Sequence, residues 1–140
     1  MASSIINYPP LSVKKGLETV MKQIGIKVNV DSYKADVNDE IQGVVMGIQS
    51  EYQEPTPMQK HQFVDLTVNV GLFTKRDALL LAEAAEEIKK IDFAQKPYND
   101  LVDFKVNRMW VSSDTIDFSE TDSDGNVQAI IIFNIQYLKI

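Results

Sequence analysis

The densest group of potential metal ligands in the chain is Glu120-x-Asp122-x-Asp124-Gly125, near the C-terminus. Oxygen ligands at alternate positions followed by glycine open an EF-hand calcium loop, which a bidentate glutamate at position 12 and two flanking helices must complete. Counting from Glu120 puts Ile131 at position 12; counting from Asp122 puts Phe133 there and misplaces Gly125. Neither register closes a coordination sphere. The flanks, residues 116–118 and 129–135, have strand rather than helix character. Asp-Gly between two such runs is a hairpin signal, because the turn needs positive φ that these residues tolerate. The stretch reads as an acidic hairpin tip.

His61 is the single histidine. A zinc site would have to pair it with carboxylates alone, and a serine triad would have it as the only base. It stands between Lys60 and Gln62, beyond a loop holding Pro55 and Pro57, and reads as a surface residue. With no cysteine in the chain, disulfides, thiolate metal sites and a cysteine nucleophile are excluded. Carboxylates are plentiful, yet none sits in an apolar setting that would split two pKa values for acid and base work. Gly43 and Gly47 match neither dinucleotide nor P-loop spacing and read as close backbone packing or a bulge. Trp110 reads as a core or interface residue. The expectation is a protein with no catalytic residue, cofactor or metal.

The elements follow from periodicity. Residues 1–10 read as an extended arm, because Pro9-Pro10 favours extended backbone. A helix follows, capped by Ser12 and carrying Val13, Leu17, Val20, Met21 and Ile24 on one face, with Gly25 in the left-handed position beyond its end. Residues 26–30 alternate as a short strand, 31–40 are a polar loop, and 41–52 form a second strand. In the third strand Val64, Leu66, Val68, Val70 and Leu72 point one way, Asp65, Thr67 and Asn69 the other, as in a sheet with one buried face. Thr74-Lys75-Arg76-Asp77 resembles a capping box and opens a helix over 76–90. Its apolar stripe is Leu80, Ala84, Ile88 and Ile91, widened by Leu81 and Ala85. Glu83, Glu86 and Glu87 belong to its solvated face. After a connection holding a short helical turn come a strand ending near residue 120 and a last strand with Val127, Ala129, Ile131, Phe133, Ile135 and Tyr137 on one face. Ile130 and Ile132 lie on the other, where apolar residues often mark contact with a helix or another subunit.

A chain of 140 residues, 44% hydrophobic and 24% charged, suits one globular domain, 1–140. The expected class is α+β, an antiparallel or mixed sheet covered by two helices, in the order α-β-β-β-α-β-β. No apolar run approaches the roughly 20 residues of a membrane span, and no signal peptide is evident, so no membrane partner is expected. A net charge of −6 disfavours bulk binding to nucleic acid.

The strand "GVVMGIQSEY", the strand "FVDLTVNVGLF" running into "TKRDALLLAEAAEEIKKI", and the closing "TIDFSETDSDGNVQAIIIFNIQYLKI" together resemble the tail terminator proteins of long-tailed bacteriophages, also called tail completion or tail-to-head joining proteins. The likeness spans nearly the whole chain as a pattern of elements. It implies a structural virion protein of the tail and neck, assembled in the host cytoplasm, and no enzyme. Such a protein forms a homo-hexameric ring that caps the tail tube, ends its polymerisation and joins it to the head-completion or connector protein, with sheath or other neck proteins as further partners. Under this resemblance Tyr52, Glu54, Pro55, Pro57, His61, Ile130 and Ile132 are candidate contacts between subunits or with tube and connector. Asp117, Glu120, Asp122 and Asp124 are candidate acidic residues of the lumen or ring edge, past which DNA moves without specific binding. The alternative is a ferredoxin-like small-molecule-binding or regulatory domain acting as a homodimer.

Overall fold

A computed structural model of the chain describes residues 8–28, 41–54, 62–75, 78–117 and 126–139. The first element is helix α1, Pro9–Gln23. It begins earlier than Pro9-Pro10 suggested: the two prolines fill the first turn, where an N–H has no helical partner in any case, and their fixed φ suits the helix. Residues 9 and 10 therefore belong to the helix and not to an arm; residues 1–7 lie outside the described residues. Tyr8 is the N-cap residue, without a side-chain cap. Val13, Leu17, Val20 and Met21 are buried as the spacing predicted, whereas Ile24 is the C-cap and 40% exposed. Gly25 follows at φ 88°. The N–H of Gly25 bonds the Lys22 carbonyl at 3.2 Å and that of Ile26 the Met21 carbonyl at 2.9 Å, the paired closure of a Schellman motif.

Strand β1, Lys27–Val28, pairs parallel with the start of β2, Gln42–Tyr52. The rest of the sheet is antiparallel: β3, Gln62–Lys75; β4, Val106–Asp117; and β5, Asn126–Lys139, giving the order β1-β2-β3-β5-β4. The class is α+β with a mixed sheet, and the element order is the one the sequence predicted. Between β3 and β4 lie helix α2, Ala78–Lys89, and a 3-10 turn, Tyr98–Leu101.

The predicted face of β3 is fully buried, as is that of β5 from Ala129 to Ile135. Both helices cover this one face. Met21 of α1 approaches Gly43, which pairs with Leu72, and Lys89 of α2 reaches Asp114, which pairs with Ile131. Gly43 is there because a Cβ would stand 2.7 Å from the Met21 sulfur, and Gly47 adjoins a register shift after Val45, so both glycines have the structural roles read for them.

Three local expectations change. Ser12 is not a cap: it is buried inside α1, where its hydroxyl accepts the N–H of Asp103 at 2.8 Å. Thr74 does not open α2 either; it stays in β3, paired with Val127, and is buried, because the ladder to β5 runs on to Lys75. Residues 76–77, the rest of the proposed capping box, lie outside the described residues. Helix α2 buries Leu81, Ala85 and Ile88, with Ile91 just beyond, so its stripe is turned about one residue from the predicted one and leaves Leu80 40% exposed.

Candidate functional site

The pairing registers assign the side chains of the face that α1 and α2 leave uncovered, since directly opposite residues share a face. From one end, Phe73 stands beside Gln128, Gly71 beside Ile130, Asn69 beside Ile132, Thr67 beside Asn134, and Asp65 beside Gln136. β2 adds Val44 next to Gly71, and the Met46 sulfur lies 3.0 Å from where a Gly71 Cβ would be. β4 contributes Thr115 beside Ile130, Ser113 beside Ile132 and Trp110 beside Asn134. Ile130 and Ile132 thus stand half-buried on the outer face, to which the neighbouring strands also contribute Val44, Met46 and Phe73. Of these neighbours only Met46 is strongly exposed, at 47%.

The other half of this face is polar and internally bonded. Asp65 accepts the Gln53 amide at 2.6 Å and the Gln136 amide at 3.3 Å, while the Thr67 hydroxyl donates to Asn134 Oδ1 at 3.3 Å. On the edge strand the Arg108 guanidinium stacks over the Trp110 ring, 4.6 Å from its centroid. Trp110 is therefore a surface residue of the outer face, 38% exposed, and not part of the core. Its i, i+2 spacing from Arg108 was visible in the sequence; the β4 register shifts flanking the pair, between Val106 and Arg108 and between Val111 and Ser113, were not.

Tyr52 lies at the far end of the sheet. It is half exposed, paired with Val64, and carries Lys139 over its ring at 5.2 Å. Tyr137 is close by, edge-on to Phe104 at 5.2 Å between ring centroids. Burial pushes the Tyr137 phenol above its ordinary pKa, with smaller contributions from Tyr52 and Tyr8. This aromatic end was missed in the sequence because its members come from four separate segments. Glu54 follows Tyr52 and is exposed. Asp117, half-buried, pairs with Gln128 at the opposite end. The sheet thus holds Tyr52 and Asp117 about 30 Å apart, the rise of the β5 residues between their rows. The candidate contacts are two groups and not one patch. Pro55, Pro57, His61, Glu120, Asp122 and Asp124 lie outside the described residues; the strands on either side of residues 118–125 are antiparallel neighbours, as a hairpin requires and an EF-hand does not.

Among the described residues no three histidine, cysteine, aspartate or glutamate side chains are grouped to hold a metal ion. Ion pairs cluster on the helices: Lys14 with Glu18 at 2.8 Å, Lys90 with Glu87 at 3.1 Å, and Lys89 with both Glu86 and Asp114. Hydrogen bonds to Glu86 and then Asp114 raise the Lys89 pKa. No helix among the described residues is long and apolar enough to cross a membrane. Comparison of the sequence with known protein families and with curated proteins finds no match.

Proposed function

We propose that the chain is a tail terminator, a phage structural protein whose copies form a ring on the end of the tail tube, stop its growth and present a surface to the head connector. The observation that carries this reading is the sheet face that the helices leave uncovered, which presents Met46, 47% exposed, and the half-buried Phe73, Ile130 and Ile132. Apolar side chains there lower the free energy only when something covers them, and a neighbouring subunit in a ring does so at every copy. Weak contacts of this kind gain strength by repetition around a closed ring.

The charge is consistent with the same role. Six copies at −6 each carry −36, which would repel phosphates and let DNA pass without sticking. Tyr52 at one end of the sheet and Asp117 at the other give it two chemically different ends, as a protein joining tube to connector needs. The alternative reading, a ferredoxin-like domain, calls for the order β-α-β-β-α-β, whereas this chain runs α-β-β-β-α-β-β.

The test is the double variant Ile130→Thr, Ile132→Thr, which keeps β-branched residues in the strand and removes apolar surface. It should fold as the parent does yet fail to form large rings. A variant that assembles as well as the parent would remove the outer face from the account.

A further inference from the structure

A groove of ≈ 650 Å³ opens between the C-terminal end of α1 and one side of α2, on the helix layer and so on the opposite side of the molecule from the outer sheet face. Its floor is Ile26 and Ile41, both buried, and its walls are Ile24 and Leu80, each 40% exposed. Leu79, 72% exposed, stands next to Leu80. The fold does not need these side chains at the surface, because Leu81, Ala85 and Ile88 carry the core contact of α2.

The groove is rimmed by Glu83, Glu86 and Glu87. Spaced i, i+3 and i+4, these carboxylates crowd one side of the helix with like charge, an unfavourable arrangement for α2 on its own. Lys89 offsets Glu86 and Lys90 offsets Glu87, but among the described residues no cation pairs with Glu83. An apolar trough with surplus negative charge along its rim is complementary to apolar side chains flanked by basic ones.

We propose that this groove docks a segment of another protein, an amphipathic helix with leucine-like side chains on one face and lysine or arginine along its margins. Helix α1 of a second copy is a poorer occupant: its exposed Lys15, Thr19 and Lys22 are basic but bring no apolar side chain to fill the trough. The groove and the outer sheet face are different surfaces of the chain, and a dilution series tells whether a neighbouring copy fills the groove.

The test uses the full chain, isoleucine and leucine methyl NMR, and a synthetic helical peptide of leucine and lysine with leucines at i, i+3, i+4 and i+7. Its twin has glutamate for every lysine. The lysine peptide should shift the methyls of Ile24, Ile41 and Leu80 and saturate, while the glutamate peptide leaves them unmoved. Glu83→Lys, at an exposed position, should weaken binding about fivefold, and Leu80→Ser should weaken it further. Equal binding of both peptides, shifts centred on Ile130 and Ile132, or unchanged affinity in Glu83→Lys would overturn the proposal. So would groove shifts that grow with chain concentration alone, which would make a second copy the occupant. A chain that forms rings but ignores the peptide, or the reverse, tells the two proposals apart.

Discussion

The buried Ser12 hydroxyl accepts the main-chain N–H of Asp103 at 2.8 Å, joining the first turns of α1 to the segment entering β4, 91 residues away. Ser12→Ala would leave that N–H without its acceptor while slightly favouring the helix itself. The expected cost is about 1–2 kcal/mol, read as a lower urea midpoint at unchanged m value. A cap role for Ser12 would instead show as fraying of α1, with Asp103 amide exchange unchanged.

Gly43 lets Met21 of α1 come close to the sheet. A Cβ on Gly43 would stand 2.7 Å from the Met21 sulfur and 2.9 Å from Ile26 Cγ2. Gly43→Ala should destabilise by about 1–3 kcal/mol through overpacking. Pairing it with Met21→Ala should recover part of that loss in a double-mutant cycle, because the methionine is the atom in the way.

Two groups predict a weakening on the alkaline side. The folded chain holds the protons of Tyr137, through burial, and of Lys89, through Glu86 and Asp114, more firmly than the ordinary values of 10.0 and 10.5. A raised folded pKa gives stability that is fully present below the ordinary value and is lost as pH rises through the folded one. Urea midpoints should therefore fall as pH rises beyond 10.0 and 10.5. Tyr137→Phe should flatten that fall, whereas Lys89→Met should change it by less than about 1 kcal/mol, since its pairs are partly exposed.

The acidic stretch between β4 and β5 gives a prediction about DNA. Asp122→Lys with Asp124→Lys changes a chain at −6 by +4, to −2. Rings of this variant should retain double-stranded DNA at low salt and release it as salt rises, while parent rings retain none. Equal retention by both would place the stretch away from the DNA path.

Much of the fold was legible because apolar residues recur at every second position of β3 and β5, so buried and outer faces follow from counting by two. The closing Gly25 and the close-packed Gly43 were legible for a similar reason: a position that admits only glycine leaves a mark. Helix α2 was harder. Leu79, Leu80 and Leu81, followed by Ala84 and Ala85, offer two apolar stripes about 100° apart, and only packing against the sheet selects the one with Leu81. The groove beside Leu80 was hidden by the same ambiguity. Thr74 had the local chemistry of a cap, but the β3–β5 ladder outweighed it. Ile130 and Ile132 could be assigned to the outer face by parity alone, while the aromatic end around Tyr52 and Tyr137 needed the tertiary fold.

The most direct measurement is the mass of the parent chain in solution, by light scattering over a range of concentrations, with electron micrographs of any large species. The account predicts a species near six times 15.8 kDa with a central hole. A chain that remains a monomer, or stops at a dimer, at every concentration would contradict it.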